Sequence, residues 1–208
     1  MIINWFGQGC FKIEGKEAIV ITDPYSNKTG LRLPRLKADI VTVSHDQEGT
    51  EAAKNIKEEP FIIDQPGEYE LKNVLVWGVP LVKNGQTKPE NNIIFSLNID
   101  GIKIAHLGRL NHDIADEKLE SLGEVDILMI PVGGNYTLGT KAAAKLISQI
   151  EPRLVLPMHY KIPGLKIKVD SIKNFCQEMG AKEEYLDKLK ISKKDLPHEE
   201  TEVILLRS

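Results

Sequence analysis

The spacing of short β-rich segments is the feature of this sequence that most limits its fold. Runs of β-branched and aromatic residues, separated by glycine and asparagine, fill the first half of the chain. They predict strands at residues 2–5, 10–13, 18–22, 40–43, 61–63, 69–71, 74–82, 92–99 and 103–106. Residues 40–43 are continuously apolar, which is typical of a strand buried on both faces. One helix is predicted in this half, at residues 50–57, with Thr50 as its N-cap.

The second half of the chain alternates between helical and strand patterns. Helices are predicted at residues 114–122, 140–150 and 170–179, the last closed by Gly180, and strands at 125–131, 153–156 and 202–206. The densely charged residues 182–194 are interpreted as a solvated helical face. Strand-rich halves with interleaved helices indicate an α/β (α+β) fold, a four-layer αββα sandwich. We expect a single domain over residues 1–208.

Composition limits the classes of binding partner and the cellular compartment that we expect for this protein. With 27 basic and 30 acidic residues the net charge is −3, so no overall field favours nucleic acid or an anionic membrane. No apolar stretch approaches the roughly 20 residues that cross a bilayer. Cys10 and Cys176 lie far apart in the sequence and are predicted to be buried free thiols. We therefore expect a cytoplasmic protein that binds neither nucleic acid nor membrane, and leave open a homo-oligomer.

Seven short segments follow one another in a characteristic order. They are WFGQGCFKI (5–13), ITDP (21–24), ADIVTVSH (38–45), PGEYE (66–70), IAHLG (104–108), PVGG (131–134) and PMHY (157–160). The first resembles the "W-x-G-H-S-S-F-x-I" opening of one branch of the metallo-β-lactamase superfamily, which includes the L-ascorbate-6-phosphate lactonase type. The resemblance covers nearly the whole chain. It implies the metallo-β-lactamase fold and a hydrolase-like protein.

The metal-binding loop of that superfamily is altered in this sequence. The family pattern "H-x-H-x-D-H" presents four ligands, and imidazole nitrogens suit zinc. Here the loop is HDQEGT, so that His45 is kept while Gln47, Gly49 and Thr50 replace the other three ligands. Glutamine is a poor zinc ligand, glycine offers only its backbone, and a threonine hydroxyl stays protonated near neutral pH. The resemblance therefore implies a degenerate metal site.

A second metal motif carries a change of charge. The family pattern "H-x-G-D" supplies an aspartate that bridges two metals, whereas this chain has HLGR, which ends in Arg109. A guanidinium is always protonated and repels nearby dications, so a two-metal centre is not expected. A partly buried arginine needs a carboxylate or a bound anion. We expect a salt bridge from Arg109 to Glu48 first, and to Asp46 or Asp23 next.

These motifs define a predicted pocket at the former metal site. Its members are His45, Gln47, Glu48, Gly49, Thr50, His106, Arg109 and His159, with Asp23, Asp46 and Tyr160 in support. Of the ligands that the resemblance implies, His45 and His159 remain. His106 is expected to support these ligands without binding the metal itself. Asp23 or Asp64 would assist a metal held by this pair. Tyr136 and Tyr160 are expected at the mouth of the pocket.

Two functions follow from these assignments. The first is a descendant without metal or other cofactor, a binding or assembly protein with a small anionic ligand near Arg109. The alternative is a metal-dependent hydrolase with a rearranged mononuclear site that holds one Zn or Mn ion. By analogy with the superfamily, it would act on a phosphorylated or lactone-type small molecule. The substituted loop favours the first function, and the retained histidines favour the second.

Overall fold

Two β-sheets packed against each other form the centre of the structure, a computed structural model that describes residues 1–45, 47–81 and 92–208. The strands are, in chain order, β1 (Ile2–Trp5), β2 (Phe11–Glu14), β3 (Ile19–Thr22), β4 (Ile40–Thr42), β5 (Phe61–Ile63), β6 (Gly67–Leu71), β7 (Val74–Pro80), β8 (Ile93–Ile99), β9 (Ile102–His106), β10 (Ile127–Pro131), β11 (Leu154–Met158), β12 (Tyr185–Leu186), β13 (Leu189–Lys190), β14 (Glu202–Val203) and β15 (Leu205–Leu206). The helices are α1 (Gln47–Ala53), α2 (Asp116–Leu122), α3 (Thr140–Ile150) and α4 (Ile172–Glu178). The first sheet has the order β13-β1-β2-β3-β4-β5 and the second β14-β11-β10-β9-β8-β7-β6, while β12 and β15 pair separately.

Side chains alternate between the two faces of the first sheet, as the period of a β-strand requires. Val20 of β3 and Ile40 of β4 belong to the large core shared with the second sheet. Their neighbours Ile21 and Val41 belong to a smaller cluster with Ala53 of α1. The first sheet is therefore covered by the second sheet on one face and by α1 on the other.

Helices α3 and α4 cover the second sheet. Their buried side chains join the large core, among them Leu146 of α3 and Phe175 of α4. Every residue of β10 and β11 is buried, because these strands are parallel and are covered on both faces. The layers thus run helix, sheet, sheet, helix, and the predicted αββα sandwich of the α/β class is confirmed.

The direction of the strands collects polar residues at one edge. Strands β3 and β4 are parallel, and so are β9, β10 and β11. Asp23 follows β3, His45 comes shortly after β4, His106 ends β9 and His159 follows β11. Since the carboxyl ends of parallel strands meet at the same edge of a sheet, each of these side chains emerges where ligands bind in layered α/β folds.

The predicted elements exist with some shifted boundaries. Helix α1 begins at Gln47, so Thr50 lies inside it and is not its N-cap. An early start is favourable because Glu48 then lies in the first turn, near the positive end of the helix dipole. Helix α4 is closed by Gly180 in the left-handed conformation, with a φ of +64°. The predicted strand 74–82 ends at Pro80, and Val82 lies outside the described residues.

The prediction for residues 182–194 was wrong. The structure has two short strands, β12 and β13, and a 3-10 turn there instead of a helix. β13 pairs with β1 at the start of the chain, and β12 pairs with β15. Pairing between strands so far apart in the sequence cannot be predicted from the local charge pattern. The predicted strand 202–206 is split for the same reason, because β14 pairs with β11 while β15 pairs with β12. In the described part of the chain, no helix is long and apolar enough to cross a membrane.

Candidate functional site

The buried carboxylate of Asp23 lies at the centre of the polar cluster. Ser44 donates its backbone N–H to Oδ1 at 2.7 Å and its hydroxyl to Oδ2 at 2.5 Å. Because that hydroxyl already donates to Asp23, its oxygen accepts from Nδ1 of His45 at 2.7 Å. Burial alone would raise the pKa of the Asp23 carboxyl, but His106, His45 and these hydrogen bonds lower that pKa well below its ordinary range. Asp23 is therefore a carboxylate that the cluster keeps ionised.

His106 is a fully buried histidine with both ring nitrogens engaged. Its Nε2 donates to the carbonyl of Gly9 at 2.9 Å, and Nδ1 accepts the backbone N–H of Gly108 at 3.3 Å. Burial lowers the pKa of the ring, while Asp23 opposes the shift. His106 thus supports the cluster as a neutral imidazole, and the backbone leaves it no lone pair for a ligand.

His159 is tied to the opposite wall of the pocket through Gln8. The His159 Nδ1–H donates to Oε1 of Gln8 at 3.0 Å, and the hydroxyl of Tyr136 donates to the same oxygen at 2.8 Å. His159 Nε2 is buried and has no hydrogen-bond partner within the residues that the structure describes. Burial, His45, His106 and Arg109 hold the pKa of His159 well below its ordinary value, with Asp23 acting in the opposite sense. The ring is therefore neutral and presents an unused lone pair.

Arg109 covers one side of the pocket. Its guanidinium carbon lies 4.5 Å from the centre of the Tyr136 ring, a cation–π contact. Its backbone N–H donates to the Asn92 side chain at 2.8 Å. The expected salt bridge to Glu48 is not observed, because the Glu48 carboxylate instead pairs with the exposed Lys28. Asp46, the next expected partner, lies outside the described residues, so that pairing stays a prediction.

The pocket has a volume of about 240 Å³. Among the predicted residues, its wall includes Asp23, His45, Glu48, Gly49, Arg109, Tyr136 and His159. A neighbouring groove of about 790 Å³, between residues 25–35 and α1, has no histidine in its wall. The smaller pocket is therefore the candidate site.

Two predicted members of the site lie elsewhere. Tyr160 is 1% exposed, and its ring packs 4.8 Å from that of Trp5, so it belongs to the hydrophobic core and does not line the mouth. The hydroxyl of Thr50 donates to Asp64 at 3.4 Å, and neither residue is part of the pocket wall. The side-chain contribution of Gln47, which begins α1, stays a prediction.

Sequence reasoning missed three residues that build the site: Gln8, Gly9 and Ser44. A signal existed for the first two, because Gln8 and Gly9 stand where the family opening has histidine and serine. Ser44 carried no such signal, since a serine at a strand end is common and its partner Asp23 is 21 residues away. The histidine network could therefore be located from the sequence, but the way it is held could not.

The residues do not fit the two-metal centre that the motifs would imply. In the described ranges, no three or more histidine, cysteine, aspartate or glutamate side chains are grouped to hold a metal ion. The nitrogens of His106 are bound to the backbone, and the rings of His45 and His159 have centroids 6.4 Å apart. Two imidazoles rarely suffice for a native metal. Arg109 adds a fixed positive charge to the same pocket.

Comparison with known proteins decides the family. A family model described as the beta-lactamase superfamily domain matches residues 2–159. A crystal structure from Thermotoga maritima, described as that of a Zn-dependent hydrolase of the metallo-β-lactamase superfamily, is 31% identical to this chain. The two structures superpose with a TM-score of 0.81, and 99% of each chain is covered. The chain belongs to the metallo-β-lactamase superfamily.

Two further proteins are similar to this chain. A protein from Thermococcus onnurineus that bears the name UPF0173 metal-dependent hydrolase is 28% identical over an alignment of 188 positions, and the match covers 76% of this chain and 84% of the relative. A structure from Parabacteroides distasonis is 15% identical with a TM-score of 0.64, a likeness of fold alone. It covers 97% of this chain and 91% of its own. The relatives thus carry hydrolase names, while the metal motifs of this chain differ from the superfamily pattern.

Replacing Gly9 by alanine should destabilise the site. A Cβ atom at Gly9 would lie 3.0 Å from Asp23 Oδ2 and 3.1 Å from His159 Nε2. Because Asp23 is locked by Ser44, it has little room to retreat, and we expect Gly9→Ala to lower the free energy of unfolding by about 1–3 kcal/mol. Urea denaturation measures the change. Gly139→Ala is the control, since a Cβ there meets nothing within 4 Å; because Gly139 is the N-cap of α3, where alanine is disfavoured, this change should cost at most about 1 kcal/mol. Equal stability of the two variants would contradict the prediction.

The buried neutral histidines predict a loss of stability in weak acid. Burial lowers the pKa of His106 and of His159, so protons bind more readily to these residues in the unfolded chain. The contribution of the two neutral rings to stability is complete above pH of about 6.5 and declines below it. The pKa of Asp23 is lowered from an ordinary value of 3.8, so the contribution of this carboxylate to stability is lost only in stronger acid. We expect the free energy of unfolding to fall by about 1 kcal/mol per buried histidine between pH 6 and 5.

Urea denaturation at several pH values measures this dependence. His106→Gln should reduce the slope, and the matched control His198→Gln, at an exposed position, should leave the slope unchanged. A stability that stays constant down to pH 5 would show that the two rings are not held neutral.

Proposed function

We propose that this protein binds a small anion in the pocket beside Arg109, as a binding or assembly protein that has left the two-metal chemistry of its superfamily. The observation that carries the proposal is the guanidinium of Arg109 in the pocket wall, over Tyr136, at the position where the superfamily pattern has a metal-bridging aspartate. A group that always carries a positive charge favours an anion where a dication would be repelled.

The other charges of the pocket support this proposal. The Asp23 carboxylate is directed to Ser44 and to the imidazole of His45, so its charge is enclosed. The Glu48 carboxylate is directed to Lys28 at the exposed rim. A carboxylate or phosphate could accept two parallel hydrogen bonds from the guanidinium.

Inorganic phosphate is a suitable probe for this site. We expect phosphate to bind the parent protein and Arg109→Met to weaken binding about tenfold or more, because a charge-assisted hydrogen-bonded pair is lost. Calorimetric titration at low salt measures the affinity. The control Arg207→Met removes an exposed arginine that pairs with Asp187 far from the pocket, and should bind like the parent. Equal affinities of parent and Arg109→Met would refute the proposal.

A metal-dependent hydrolase with one metal is the second candidate. The buried Nε2 of His159 favours it, since within the described ranges this atom has no hydrogen-bond partner, and a metal ion would occupy such a lone pair. The names of the relatives also point this way. His45 and His159 would hold one Zn or Mn ion, and the substrate would be a phosphorylated or lactone-type small molecule.

Elemental analysis of protein purified without chelator separates the two candidates. Under the anion-binding proposal we expect well below one equivalent of zinc, manganese or iron, and a melting temperature that EDTA leaves unchanged, because no metal contributes to folding. One equivalent that is lost in His159→Ala would establish the second candidate. The matched control is His112→Ala, at a histidine outside the pocket wall.

A further inference from the structure

Gln8 is held rigidly between strands β1 and β2. It is 5% exposed, its backbone has a left-handed φ of +51°, and its carbonyl accepts the indole N–H of Trp5 at 2.9 Å. Trp5 is itself 2% exposed in the hydrophobic core. The direction of the Gln8 side chain is thus determined by the fold, and does not depend on a ligand.

One oxygen of Gln8 joins the two walls of the pocket. Oε1 accepts both the Tyr136 hydroxyl and the Nδ1–H of His159, at 2.8 and 3.0 Å. An oxygen that accepts from Nδ1 requires the proton on that nitrogen, so His159 carries its lone pair on Nε2. The same oxygen fixes the far end of the Tyr136 ring.

The Tyr136 ring passes this constraint to Arg109. The ring lies edge-on to His159, with centroids 6.0 Å apart and an interplanar angle of 88°, and the guanidinium lies over its face. A ring that rotates loses one of these contacts. The orientation of the guanidinium therefore depends on the hydroxyl that Gln8 accepts.

We infer that Gln8 is a positioning residue for the anion site, which holds Tyr136 beneath Arg109 and fixes His159 as its Nδ1–H tautomer. The inference rests on the proposed function. The family opening has histidine at position 8. Here the glutamine at this position determines which chemical groups the pocket presents. These are a cation on one side and an unprotonated imidazole nitrogen on the other.

Nitrogen-15 NMR of the imidazole rings tests the tautomer without any ligand. In the parent protein we expect His159 to carry its proton on Nδ1, and in Gln8→Met to exchange between tautomers or to switch to Nε2–H. An Nε2–H tautomer in the parent would mean that the Gln8 amide has the opposite orientation, and would overturn the inference. The matched control Gln177→Met makes the same chemical change on the exposed face of α4.

A double-mutant cycle tests the path to Arg109, with inorganic phosphate as the probe. Gln8→Met and Tyr136→Phe should each weaken phosphate binding about fivefold, since each removes one hydrogen bond. The double variant should bind about as weakly as either single variant, because both changes break the same contact. Effects that multiply to about 25-fold would show that Gln8 does not act through Tyr136.

The two measurements keep the two hypotheses apart. If the parent does not bind phosphate, the proposed function fails, while the tautomer of His159 still decides whether Gln8 positions that ring. If Gln8→Met does not fold, the tautomer in the parent together with phosphate affinity of Tyr136→Phe decides the outcome. An unchanged affinity in Tyr136→Phe would overturn the positioning of Arg109.

Discussion

An ionised carboxylate in the protein interior, that of Asp23, is the constraint on which the site depends. A buried charge is tolerated only when hydrogen bonds and opposite dipoles replace the water it has lost. Ser44 supplies two of those bonds, and its hydroxyl connects the carboxylate to His45. Gly9 leaves room beside it, because a Cβ atom at this position would lie only 3.0 Å from the carboxylate oxygen. The residues around Asp23 are therefore selected by its charge.

The fold of the metallo-β-lactamase superfamily brings acidic and imidazole side chains together at one edge of the sheets. In metal centres of this kind, cations hold the acidic and imidazole ligands together. In this chain, hydrogen bonds between side chains do so, from Ser44 to Asp23 and from His159 to Gln8. This network runs through the Ser44 hydroxyl and the Gln8 amide oxygen. It leaves the Nε2 of His159 and the Nε2 of Gln8 without partners, within the part of the chain that the structure describes. Unsatisfied buried groups are rare in native proteins and mark functional sites more often than errors of design.

The sequence predicted the location of the site better than the hydrogen bonds and ion pairs within it. Strand ends place Asp23, His45, His106 and His159 at one edge, and strand ends follow from apolar periodicity and turn residues. The partner of Glu48 was not predictable, because Lys28 lies 20 residues away on an exposed turn and surface ion pairs have little energetic preference. Tyr160 was misplaced because neighbouring His159 takes a left-handed φ of +57°, a bend that local patterns do not reveal. Gln8 was overlooked because its role depends on residues 128 and 151 positions further on.

The pairing of β1 with β13 has a consequence for how the protein is made. Ile2 lies opposite Lys190, so the outer edge of β1 has no partner until residue 190 has been synthesised. Pairings of such long sequence separation slow folding, and an open strand edge invites association with other chains in the meantime. The pocket is completed late as well, because Gln8 can bind His159 only after residue 159 has been synthesised. During synthesis, the nascent chain therefore passes through a long interval with strands formed but no site.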